Sequence, residues 1–93
     1  MKRIIVVEDN EADLFVLRHS LAEVGVICDL EAISDGLEAR NRLVGSPPGT
    51  PPDLILLDLN VPKVDGFALL TRIRECDWLR DVPVVLWSST RAE

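Results

Sequence analysis

The 93-residue sequence contains few of the side chains that bind soft metals or form covalent cross-links. It has one histidine and two cysteines, and the spacing of Cys28 and Cys76 fits no zinc-ligand motif. A zinc or copper site is therefore not expected. We expect both cysteines to be buried free thiols in a reducing cytoplasm, with a disulfide between them as the less favoured alternative.

The sequence also lacks an apolar run of membrane-spanning length, and a strand-like pattern follows Met1, Lys2 and Arg3 without a signal peptide. We therefore expect a cytoplasmic protein with no membrane partner. Positive charge is scarce as well, because ten Lys and Arg residues stand against sixteen Asp and Glu, giving a net charge of −6. That balance disfavours a nucleic-acid partner.

Apolar residues switch between strand-like and helix-like spacing along the chain, which is the pattern of an α/β domain. Four strands are predicted, at 3–8, 26–33, 53–57 and 84–87, and three helices, at 10–24, 37–44 and 67–76. The run at 26–33 is more polar and is predicted to be an edge strand. Residues 45–52, rich in proline and glycine, are predicted to be a loop within a single domain of residues 1–93. This order predicts a doubly wound parallel sheet with helices on both faces.

The first helix has clear end signals, with Asn10 as the expected N-cap and Gly25 as the expected stop. Its predicted apolar stripe consists of Leu14, Leu17, Leu21 and Val24. Phe15 and Val16 lie off this stripe, and the apolar last strand is followed by only six residues. We expect another element to cover these surfaces. The chain would then be a C-terminally incomplete domain, or it would form a homodimer or domain swap through the last strand.

Acidic residues follow two of the apolar strands: Glu8 and Asp9 after the first, and Asp58 after the third. If these strands are neighbours, their carboxyl ends form the crevice in which open α/β sheets bind ligands. A carboxylate cluster without His or Cys favours Mg²⁺ over zinc or copper. One carboxylate beside the ion could then attack a phosphoryl group and form an aspartyl phosphate, with Ser88 or Ser89 donating to the phosphoryl oxygens.

Other interpretations stay open at this point. Each acidic residue taken alone also fits a helix cap or a turn. A phosphohydrolase with an aspartyl nucleophile usually carries a second carboxylate two residues later, where this chain has Asn60. A nucleotide-binding fold would need a glycine-rich loop after the first strand, and residues 10–13 contain no glycine. An interaction module that is not phosphorylated and dimerises through its last strand is the principal alternative.

In combination, these residues resemble the receiver domain of bacterial two-component response regulators. The matching residues are Glu8, Asp9, Asp58, Pro62, Asp65, Gly66, Val82, Pro83 and Ser88. The likeness covers essentially the whole chain and is greatest to single-domain receivers that accompany phytochrome-type and hybrid histidine kinases. It implies a flavodoxin-like fold with strand order 2-1-3-4, and a phosphorelay signalling protein, not an enzyme.

The resemblance also implies residue roles. Asp58 would accept a phosphoryl group from a histidine kinase or phosphotransfer protein, with Mg²⁺ as cofactor. The implied metal ligands are Glu8, Asp9, Asp58 and the backbone carbonyl of Asn60. Ser88 would be the switch hydroxyl. The residues implied to tune the lifetime of the phosphoryl group are Asn60, Ser89 and Thr90.

Two features of the family have no counterpart here: a fifth strand that carries a lysine near its start, and a fifth helix. Lys63 cannot replace that lysine, because it lies in the loop after Asp58. Since the family lysine pairs with the phosphoryl oxygens, we expect its absence to impair phosphotransfer by this chain alone.

Overall fold

A computed structural model describes residues 1–44, 49–60 and 63–87. In chain order the elements are β1 (Lys2–Val7), α1 (Glu11–Glu23), β2 (Cys28–Ile33), α2 (Gly36–Leu43), β3 (Leu54–Asp58), α3 (Gly66–Glu75), a short 3-10 helix (Asp77–Leu79) and β4 (Val84–Trp87). The strands are parallel and their order is β2-β1-β3-β4. The predicted α/β class and the strand order 2-1-3-4 are therefore confirmed, and the polar strand β2 lies at an edge as predicted.

One face of the sheet is covered by α2 and α3 and holds the hydrophobic core. Successive side chains of a strand point to opposite faces, so alternate residues of β1 and β3 contribute to this core. Its buried members are Ile5, Val7, Ile33, Ala39, Leu43, Ile55, Leu57, Leu69, Ile73, Leu79 and Val82. Burial of this set is the main favourable term in the folding of the domain.

Within the described residues, the helix on the opposite face is α1, which has no buried residue. An apolar groove of about 380 Å³ separates α1 from β3 and β4. The residues lining it are Asp13, Val16, Leu17, Ser20, Leu56, Val85 and Trp87. Phe15 and Val16 are 70% and 60% exposed, in agreement with their position off the helix stripe.

The end of α1 follows the predicted signals, but the start of β2 was predicted too early. Gly25 adopts a φ of +80°, and its N–H donates to the carbonyl of Ala22. The next N–H, of Val26, donates to the carbonyl of Leu21, which completes a Schellman motif. Because this bond holds Val26 against the helix end, the strand begins only at Cys28. Val24, the last member of the predicted apolar stripe of α1, is 74% exposed, so its inclusion in that stripe was wrong.

The 3-10 helix was not predicted. It places Leu79 in the core and lets the indole N–H of Trp78 donate to the carbonyl of Leu43 at 3.2 Å. Cys28 and Cys76 are free thiols as predicted, although they are half-buried. None of the described helices has the length and apolar content that crossing a bilayer requires.

Candidate functional site

The carboxyl ends of β1 and β3 bring the predicted acidic residues together. Val7 is paired with Leu57 in the sheet register, so the next residues along the two strands, Glu8 and Asp58, emerge side by side. The backbone N–H of Glu8 also donates to the carbonyl of Ile33 at 2.9 Å. That bond fixes the end of β1 against β2, and the cluster is therefore built on the rigid part of the fold.

Glu8, Asp9 and Asp58 form one carboxylate cluster. One carboxylate oxygen from each residue lies within 4.8 Å of the others. Glu8 and Asp58 are fully buried, whereas Asp9 is accessible to solvent. The cluster therefore combines a buried pair with an open side through which a ligand can enter.

Burial and crowding perturb the acidity of this cluster. The pKa of Glu8 is raised from 4.5 to about 7, first by burial and then by its hydrogen bond with Asp58. The negative charges of Asp58 and Asp13 raise this pKa further, while the N–H of Asn10 lowers it. A cation bound nearby would favour the ionised form of Glu8 and so lower this pKa.

Backbone N–H groups orient the two buried carboxylates. The N–H of Asn10 donates to Oε1 of Glu8, and the N–H of Asn60 donates to Oδ1 of Asp58, both at 2.9 Å. Asn10 is also the predicted N-cap of α1, since its side-chain oxygen accepts from the N–H of Asp13 at 3.1 Å. The segments after β1 and β3 thus hold the carboxylates in place.

The cluster fits a small hard cation. Its three side chains offer only carboxylate oxygens, and no His or Cys belongs to it in the described part of the chain. Oxygen-only ligand sets suit Mg²⁺ and Mn²⁺, whereas zinc and copper favour sites that include nitrogen or sulfur. Glu8, Asp9 and Asp58 could hold such an ion.

Asn60 contacts the site through its backbone N–H, which donates to Asp58. The predicted roles of its carbonyl and its side chain stay predictions. Ser88, Ser89 and Thr90 lie outside the described residues. The last described residue of β4, Trp87, is the register partner of Asp58.

Two contacts of charged residues were not predicted. No role at the acidic cluster was predicted for Asp13, yet its charge raises the pKa of Glu8. Lys63 was considered only as a replacement for the family lysine, whereas its Nζ lies 3.3 Å from Oδ2 of Asp35. The sequence separation of 28 residues hides this second contact, although Asp35 before Gly36 is a recognisable helix N-cap.

Comparison with known proteins was consistent in sequence and structure. The family model described as the response regulator receiver domain matches residues 4–93. The chain is 33% identical over 92 residues to the probable methanogenesis regulatory protein FilR2 of Methanothrix harundinacea, and 37% identical over 95 residues to response regulator Rcp1 of Synechocystis. These matches cover 97% and 99% of this chain. The chain spans 59% and 65% of the lengths of these two relatives.

Two solved structures show the same fold. The phosphorylated cyanobacterial phytochrome response regulator RcpA superimposes with a TM-score of 0.82 at 39% identity, over 96% of this chain and 66% of that one. The Mn²⁺-bound form of Rcp1 gives a TM-score of 0.82 at 36% identity, over 100% and 69% of the two chains.

Proposed function

Because this chain belongs to the response regulator receiver domain family, we propose that it is a phosphoacceptor whose Asp58 receives a phosphoryl group in a two-component phosphorelay. The donor would be the phosphohistidine of a histidine kinase or of a phosphotransfer protein. The observation that carries the proposal is the convergence of Glu8, Asp9 and Asp58 within 4.8 Å. RcpA was solved in a phosphorylated form and Rcp1 with Mn²⁺. Both structures support the same assignment for the present chain.

The proposed roles combine the carboxylate cluster with the roles that the family resemblance implies. Asp58 would be the nucleophile, and Glu8, Asp9, Asp58 and the backbone carbonyl of Asn60 would hold Mg²⁺. When bound, the ion neutralises charge on the carboxylates and on the phosphoryl oxygens. The Asn60 N–H holds one Asp58 oxygen, which limits rotation of the carboxylate during attack.

The proposed chemical step is the transfer of a phosphoryl group from a histidine nitrogen to Asp58. A carboxylate oxygen of Asp58 forms a bond to phosphorus as the phosphorus–nitrogen bond of the donor breaks, and the histidine nitrogen leaves with the bonding pair. The product is an aspartyl phosphate. Ser88 is proposed to bind a phosphoryl oxygen, and Ser89, Thr90 and the Asn60 side chain to tune the lifetime of the phosphoryl group.

Phosphorylation assays test this proposal directly. The protein is incubated with a small phosphodonor such as acetyl phosphate, with and without Mg²⁺, and phosphoryl addition is measured by intact mass. Asp58→Asn should abolish the addition. Asp29→Asn is the matched control, because Asp29 is an exposed carboxylate on β2. Phosphorylation that survives in Asp58→Asn, or that needs no divalent cation, would contradict the assignment.

A protein interaction module that dimerises through β4 is the second candidate. It is favoured by one observation, the apolar groove beside β4, which is an edge strand of the described sheet. Size-exclusion chromatography at several concentrations tests it. A monomer at every concentration would rule out the homodimer, and a dimer that ignores Mg²⁺ and phosphodonor would favour this candidate over the first.

A further inference from the structure

Lys63 has a backbone conformation that needs explanation. Its φ is +79°, in the left-handed region, where the other described residues with positive φ are glycines, Gly25 and Gly49. A side chain at such a φ costs energy that glycine avoids, and residues held there cluster at functional sites. The choice of lysine at this position therefore points to a use for its side chain.

That side chain reaches across to the start of α2. Lys63 Nζ donates to Oδ2 of Asp35 at 3.3 Å, while Oδ1 of Asp35 accepts the Glu38 N–H at 2.7 Å as the N-cap of the helix. The pKa of Asp35 is lowered, mostly by the Glu38 N–H and further by Lys63. Because α2 buries Ala39 and Leu43 in the core, Lys63 is tied to a rigid element.

Two glycines hold the same segment at close range. A Cβ added to Gly36 would lie 2.8 Å from Cβ of Val64, and one added to Gly66 would lie 2.7 Å from Cα of Leu59. Such distances mean that Val64 packs directly on the start of α2, and Leu59 on the start of α3. Together with Lys63, these contacts fix both ends of the connection between β3 and α3.

These contacts flank the residue that bonds to the acceptor. Asn60 directly follows Leu59 and donates its N–H to Asp58. Lys63 is only three residues further along the sequence, so a change in how Lys63 is held is expected to affect Asn60.

We propose that Asp35 and Lys63 are positioning residues that hold the connection between β3 and α3 so that the Asn60 backbone stays aligned with Asp58 and with a bound divalent cation. We call this ion pair the Asp35–Lys63 latch. The inference rests on the proposed function, because it makes the affinity for Mg²⁺ depend on the latch. Neither residue belongs to the acidic cluster itself.

The expected effect is modest, because the Lys63 side chain is 60% exposed and exposed ion pairs are screened. Breaking the latch should weaken Mg²⁺ binding by about two- to fivefold at low ionic strength. The difference between the intact protein and the broken latch should shrink as salt is added.

Lys63→Gln is the decisive variant, measured by calorimetric titration with Mg²⁺ alone. Removing a positive charge near an acidic site should by itself tighten cation binding, so the latch and simple charge effects predict opposite signs. Lys2→Gln is the control, because it removes the same charge from the exposed start of β1. Weaker binding in Lys63→Gln and not in Lys2→Gln supports the latch; unchanged or tighter binding in Lys63→Gln overturns it.

A double-mutant cycle sharpens the result. Asp35→Asn keeps a side-chain oxygen that can cap α2 while removing the charge that pairs with Lys63. If the two residues act as one latch, the double variant should be no weaker than the worse single variant. Additive losses would overturn the proposal.

A readout without metal separates this inference from the proposed function. Hydrogen exchange of the Asn60 amide should accelerate about two- to fivefold in Lys63→Gln and stay unchanged in Lys2→Gln. If the unaltered protein binds no Mg²⁺, the metal-based function fails while the exchange rates still decide whether the latch aligns Asn60. Equal exchange rates in the two variants would overturn the latch.

Discussion

The two faces of the sheet are made from the same strands yet differ greatly in packing. The face beneath α2 and α3 is closed, with Leu57, Leu69 and Ile73 fully buried. The face beneath α1 carries an apolar groove, although Ile4 and Val6 of β1 are buried. An apolar strand pattern therefore does not by itself show how well each residue is covered, since Val85 in the apolar strand β4 is 49% exposed.

Truncating one side chain on each face tests this difference, and we expect it to give the largest effect. Ile73→Ala should lower the free energy of unfolding by about 2–5 kcal/mol, because it leaves a cavity in a closed core. Leu17→Ala, beside the groove, should cost less because solvent already reaches the space around it. Urea unfolding at equilibrium measures both, and equal losses would show that the two faces are equally packed.

Glycine substitutions extend the comparison to the start of α2, on the closed face, and the end of α1, on the other face. Gly36→Ala should lower the free energy of unfolding by about 1–3 kcal/mol, because the new methyl group would meet Val64 at 2.8 Å. Gly25→Ala has nothing within 4 Å, so its cost of about 1–2 kcal/mol should come from the φ of +80° alone. Thermal melts that show Gly36→Ala to be harmless would contradict the close contact.

The carboxylate cluster at the carboxyl ends of β1 and β3 should make the free energy of unfolding depend on pH. The folded protein binds a proton at Glu8 with a pKa of about 7, against 4.5 for an ordinary glutamate, so it holds more protons than the unfolded chain between these values. The free energy of unfolding should therefore fall as pH rises from about 4.5 to about 7 in the absence of metal.

Glu8→Gln is the matching variant, because it keeps the shape of the side chain and cannot ionise. It should flatten the metal-free pH profile, measured by urea unfolding at several pH values. A profile that is equally steep in Glu8→Gln would show that another group is responsible.

The smallest expected effect compares the two tryptophans. Trp87, at the groove, has a buried indole N–H that finds no hydrogen-bond partner among the described residues, so Trp87→Phe should be neutral or stabilising by up to about 1 kcal/mol. Trp78→Phe should instead cost about 0.5–1.5 kcal/mol, because it removes the bond to the Leu43 carbonyl. A clear loss in Trp87→Phe would show that its N–H is satisfied in solution.

The sequence predicted the order of the elements and the acidic cluster for one physical reason. Parallel strands end at a common edge, so Glu8, Asp9 and Asp58 had to converge once β1 and β3 were neighbours. Local signals also placed the helix ends, as the caps at Asn10 and Gly25 show.

The remaining features depend on contacts that no local pattern encodes. The latch joins residues 28 positions apart, and the early start predicted for β2 ignored the bond from Val26 to Leu21. Likewise, the periodicity that defined the core did not reveal that Trp78 would follow α3 in a 3-10 helix and bond to the end of α2.

The pairing between β3 and β4 continues one residue past the proposed acceptor. The N–H of Leu59 donates to the carbonyl of Trp87 at 2.9 Å, so Asp58 lies within the ladder and not at its loose end. A backbone held on both sides of Asp58 resists displacement, so a reaction at this residue is expected to move side chains more than the strand itself. The sheet is therefore a rigid support for the acceptor.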